Sequence, residues 1–191
     1  MNVGELLPDF VGLSSVLTGY DANAIAPKLD PLDDNTVAMQ YLRLMLAKAD
    51  NEIFLQTLAV FREIVVGLPD PWNWTPANAA DVTAQVKAQI LSDADMAAMS
   101  RRMIRLWYLA TWYVNEPPDF AGEVVSMDAY KQGLAWQTIQ AHPMGYSELI
   151  FGYWAEQPPT AGTTPQAPPI LGAPSATPPA ASKGGNQRGG V

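Results

Sequence analysis

The chain has no cysteine and a single histidine, His142. Without thiols it supplies no thiolate zinc site, no thiol nucleophile and no ligand for an iron–sulfur cluster. One imidazole cannot build a His-rich metal site. The absence of cysteine also fits an oxidising compartment. Charge is scarce as well: Asp, Glu, Lys and Arg make up 16% of the 191 residues, against roughly 25% in a typical soluble domain. Basic charge is scarcest, with 11 Lys and Arg against 19 Asp and Glu, a net charge of -8. Nucleic-acid affinity depends on neutralising phosphates, so no nucleic-acid partner is expected. The one adjacent basic pair, Arg101–Arg102 with Arg105 a turn further on, reads as a solvated helix face. No apolar run reaches the roughly 18 residues of a membrane helix, so membrane association is expected only through partners. The opening MNVGELLPDF has neither a basic nor an apolar signal-peptide region. GxGxxG and GxxxxGK[ST] phosphate loops are absent. Ser14–Ser15 lie in an apolar helical pattern without a nucleophile elbow.

Apolar residues, by contrast, reach 48%, and there are 6 Trp, 7 Tyr and 8 Met. A domain of roughly 150 residues buries about two-thirds of its unfolded surface, so one core is well supplied. Low charge with many large amphipathic side chains leaves two readings open. Either the core is thick with aromatics, or apolar surface remains for a partner. Asp21, Asp30, Asp33 and Asp34 form an acidic loop of the kind calcium favours. EF-hand spacing is missing, Pro31 interrupts the run, and capping with solubility is the simpler account.

Periodicity is helical nearly throughout. Phe10, Leu13, Val16 and Leu17 mark a first helix ending at Thr18–Gly19, where glycine suits a left-handed cap. A second helix is expected from about Thr36 to Ala47. A third, begun by Asp50 as N-cap, carries Ile53, Phe54, Leu58, Phe61, Ile64 and Val65 to the stop at Gly67 and Pro69. PDPWNWTP (69–76) is a rigid connector, and a weaker helix follows over 77–91. Ser92 reads as the N-cap of the longest helix, with Asp95 as its capping partner. Its stripe of Met96, Met99, Met103, Leu106, Ala110 and Val114 runs to Pro117–Pro118. A further helix is expected from Ser126 through Tyr130, Leu134 and Trp136 to His142–Pro143, and a short irregular stretch to Trp154. No alternation is long enough for a sheet, and Val124–Val125 is too short. The expected fold is all-α: one compact helical domain over residues 5–157. Residues 158–191 are an extended Pro/Ala/Gly-rich arm that cannot bury enough of itself to order alone. Its bulky pair, Ile170–Leu171, would be the anchor if the arm lies along a partner.

Five segments carry a resemblance. They are FVGLSSVLTGYD (10–21), Leu29–Asp30 with AMQYLRLM (38–45), MIRLWYLATWY (103–113), YKQGLAWQTIQAHPMGYSE (130–148) and FGYWAEQPP (151–159). In this order they resemble the small, gamma-type subunit of bacterial FAD-dependent sugar and polyol dehydrogenases, the sorbitol, fructose and glucose dehydrogenase complexes. The resemblance implies a non-catalytic accessory subunit that binds, stabilises and helps mature and export a large flavoprotein subunit. FAD and an iron–sulfur cluster would belong to that partner, and haem c to a multihaem cytochrome c subunit. A periplasmic position on the cytoplasmic membrane follows, although no twin arginine precedes Phe10. The motif positions expected at the interface, or supporting it, are Trp107, Tyr108, Trp112, Trp136, His142, Pro143, Met144, Gly145, Tyr146 and Trp154. Three other readings stay open: a transient maturation chaperone, a stand-alone enzyme or haem protein using His142, and a homo-oligomer joined through the aromatic surface.

Overall fold

A computed structural model describes residues 3–27, 36–114, 121–141 and 143. The fold is all-α, apart from one small hairpin. Its centre is α1 (Val3–Thr18), which packs against every longer helix that follows. Residues 10–15 of α1 are buried without a break. A helix apolar around most of its circumference belongs inside, not on a surface. Gly12 sits where a Cβ would come within 2.9 Å of Pro71 Cγ and 3.0 Å of the Phe61 ring. Pro8 lies inside α1, and the helix continues through it. Gly19, at φ 77°, ends the helix as expected, donating to the Ser15 carbonyl at 2.9 Å.

Asp21 caps the short α2 (Ala22–Ile25) by accepting from Asn23 N–H at 2.8 Å. Residues 28–35, which include Asp30, Asp33 and Asp34, lie outside the described residues. Thr36 and Asp50 then cap α3 (Val37–Lys48) and α4 (Asn51–Ile64). Only two residues separate α3 from α4, so they pack as a helical hairpin. A 3-10 turn at Pro71–Asn73 lies against α1, and the Trp72 indole donates to Ala26 O at 2.6 Å. α5 (Pro76–Gln89) opens with a reciprocal Thr75–Asn78 capping box and proline at its first position.

Four expectations need correction. The N-cap of α6 (Ala94–Leu109) is Asp93, which accepts from Asp95 and Met96 N–H, while Ser92 bonds back to Ala88 O. α6 ends at Leu109 and not at the prolines, because Ala110 turns left-handed at φ 50°. Beyond it Thr111–Tyr113 forms β1, paired antiparallel with β2 (Gly122–Val124), so there is a sheet after all. β-branched and aromatic residues favour strands, and here the pairing overrides the helical spacing that runs on to Val114. Last, the single helix expected after Ser126 is two: α7 (Met127–Lys131), capped by Ser126, and α8 (Leu134–Thr138). Gly133 divides them, and a Cβ there would lie 3.1 Å from Tyr108 O.

Candidate partner-binding surface

The C-terminal half of α6 organises the region where sequence placed the interface. β1 and α8 both pack on it. Trp107 is 3% exposed, with Phe10 stacked at 6.3 Å and Tyr41 meeting it edge-on at 4.9 Å. Trp112 is 5% exposed, with the Arg102 guanidinium 5.3 Å from its ring centre. Both indoles therefore belong to the chain's own core and can only support a surface, not present one.

Tyr108 and Trp136 lie nearer solvent. The Tyr108 hydroxyl donates to Thr18 O at 3.1 Å, and its ring meets that of Tyr20 at 6.4 Å. Tyr20 in turn shares a 2.8 Å hydrogen bond between its hydroxyl and that of Thr138. Ser15 donates to Tyr20 O at 2.6 Å, and Thr18 to Ser14 O at 2.8 Å. This network latches the end of α1 to α6 and α8 through the hydroxyls of Ser15, Thr18 and Tyr20. Burial raises the Tyr108 hydroxyl above its usual range, the neighbouring Tyr20 adds to the rise, and hydrogen bonding with Thr138 works against it. Trp136 donates from its indole to Tyr130 O at 3.0 Å, with the two rings edge-to-face at 5.4 Å. Pro143 is partly buried. His142, Met144, Gly145, Tyr146 and Trp154 lie outside the described residues.

The side chains left exposed are aliphatic. Leu109 (44%), Val114 (65%), Val124 (46%), Met127 (54%) and Ile139 (64%) follow one another from the end of α6, through the hairpin and α7, to the end of α8. Val66 and Leu91 are the other large apolar residues exposed among the described ones. Sequence reasoning missed this set because its signal was aromatic, and aromatic rings bury the most area per side chain.

Reactive groupings are sparse beside it. Among the described residues no three His, Cys, Asp or Glu side chains are grouped to hold a metal. A crevice lined by Asp50, Ile53, Asp95, Ala98, Met99 and Arg102 encloses about 140 Å³, small against the roughly 300–1,000 Å³ of ligand pockets. No described helix is long and apolar enough to cross a membrane. Scans against protein-family models, curated proteins and solved structures find no match to the chain.

Proposed function

We propose that this chain is the non-catalytic small subunit of a dehydrogenase complex. It binds and stabilises a large FAD-dependent sugar or polyol dehydrogenase subunit and assists its maturation and export. The observation that carries the reading is the set of exposed apolar side chains Leu109, Val114, Val124, Met127 and Ile139, carried by α6, the hairpin, α7 and α8. Large apolar side chains left in solvent are candidates for contact with another protein. The motif resemblance supplies the identity of the partner, and two of its five motifs (103–113 and 130–148) overlap this stretch. In this reading FAD and the iron–sulfur cluster sit in the partner, haem c in a cytochrome subunit, and the assembly works at the periplasmic face of the membrane.

The test is co-expression with the neighbouring genes and purification through a tag on this chain. The expected result is a large subunit with flavin absorbance and sugar-dependent dye reduction. A colourless chain that purifies alone, stays monomeric and melts in one sharp transition would refute the reading.

A further inference from the structure

The register of the hairpin settles which way its backbone groups point. Val125 N–H donates to Ala110 O at 2.9 Å, and Val114 N–H donates to Ala121 O at 3.1 Å. In an antiparallel pair the residues that exchange hydrogen bonds alternate with those that do not. With Trp112 opposite Glu123, residues 121, 123 and 125 therefore turn their N–H and C=O toward β1. Gly122 and Val124 turn theirs away. Among the described residues neither takes part in a backbone bond outside the strand pair, and all of Gly122–Val124 is exposed. β2 is thus an open edge. Such edges template pairing with another extended chain.

The side chains around the edge specify what would pair. Alternation puts Val124 and Gly122 on the face of Thr111 and Tyr113, opposite the buried Trp112. Exposed Val124 offers apolar contact there. At the centre of the edge Glu123 is 74% exposed, and only its Oε2 is held, by Lys48 at 2.9 Å. A second copy of this chain is a poor occupant. Two β2 edges pairing about their centre would set Glu123 against Glu123 in the closest cross-strand position, and like charges there are destabilising. Each copy also carries a net charge of -8. The complementary occupant is an extended segment with a Lys or Arg opposite Glu123 and apolar residues on either side.

Resting on the partner-binding reading above, we infer that the partner subunit docks by adding such a strand to β2, pairing with the backbone of Gly122 and Val124. Main-chain bonds supply attraction in this mode of recognition, and alternate side chains supply specificity.

Proline at 124 tests the inference cleanly. It removes an outward N–H and leaves the pairing to β1 intact, since proline is tolerated on an edge. In the co-purified complex, hydrogen exchange at Val124 is expected to slow by roughly tenfold or more relative to the free chain. Val124→Pro is expected to cut recovery of the flavoprotein about tenfold, while Val124→Ala, which keeps the N–H and loses only side-chain contact, cuts it far less. A flavoprotein that co-purifies while Val124 exchanges as fast as in the free chain overturns the edge and leaves the subunit assignment standing. If no flavoprotein co-purifies, the assignment falls, and the lone chain is titrated with the blocked peptide TVTVKVTVT. Chemical-shift changes confined to 121–125 at roughly millimolar peptide, lost in Val124→Pro, would then uphold the edge, and no change would overturn it.

Discussion

Replacing Tyr41 with Phe is expected to stabilise the protein. Tyr41 is fully buried, and its hydroxyl has no hydrogen-bond partner among the described residues. A buried, unpaired hydroxyl costs about 1–3 kcal/mol in lost hydration. Removing the oxygen leaves a gap of roughly 10 Å³, and at about 24 cal/mol per Å³ this returns only about 0.2 kcal/mol. The ring keeps its edge-on contact with Trp107 at 4.9 Å. The net gain is about 1 kcal/mol or more. Urea unfolding is the assay, because urea keeps the apolar surface in solution and Trp107 fluorescence reports on this spot. With a slope of about 2 kcal/mol per molar, the midpoint should rise by roughly 0.5 M. The same substitution has an alkaline signature. Burial raises the Tyr41 hydroxyl above its ordinary value of 10.0, so the unfolded chain gives up this proton first. The stability linked to the neutral hydroxyl is complete below about pH 10 and drains away above it, by up to about 1.4 kcal/mol per pH unit. Tyr41→Phe should therefore lose stability less steeply above pH 10. A midpoint that falls instead would refute the reasoning, since it would mean that the hydroxyl is hydrogen-bonded in solution.

Two glycines should fail for different reasons. Gly12→Ala drives a methyl against Pro71 and Phe61 and should destabilise by about 1–3 kcal/mol, whereas Gly67→Ala meets open space but keeps a φ of 81° and should cost about 1 kcal/mol; urea midpoints measure both. At the start of α6, Asp93→Ala should lower the midpoint by the equivalent of about 1 kcal/mol while Ser92→Ala changes it little, because only Asp93 holds the first N–H groups. Tyr108→Phe, which unfastens the bond to Thr18 O, should cost about 1 kcal/mol and speed amide exchange at the end of α1.

The sequence was most readable where local chemistry and burial agree. Asp50 and Thr36 announce α4 and α3 through short polar side chains ahead of an apolar stripe, and Gly19 announces the end of α1. Reading failed where a distant segment decided. Ala110 has no glycine to betray its left-handed turn, and Met103, Leu106 and Ala110 keep helical spacing right up to the break. The strand appears only because residues 122–124 come back to pair with it. Gly133 divides α7 from α8 because the backbone of Tyr108 passes close by, a contact no local window contains. At the candidate surface, Trp107 and Trp112 drew attention as interface or interface-supporting residues, and their size puts them in the core, where the supporting role is the one open to them. Tyr108 and Trp136 remain nearer the surface, and the exposed aliphatic set was silent because single Val, Leu and Ile residues carry no distinguishing pattern.

The central place of α1 bears on how the protein is made. A ribosome delivers this helix before its neighbours, and its lining is completed only by α6, whose last residue, Leu109, emerges roughly 90 residues after Thr18. At about 5–20 residues per second, the stretch around Phe10 and Leu13 waits on the order of 5–20 s for its final neighbours. During that interval a nascent chain carries an uncovered apolar helix, the species most prone to capture by chaperones or by other chains. Yield in the cell should therefore depend on translation speed and holding factors as much as on the stability of the finished fold.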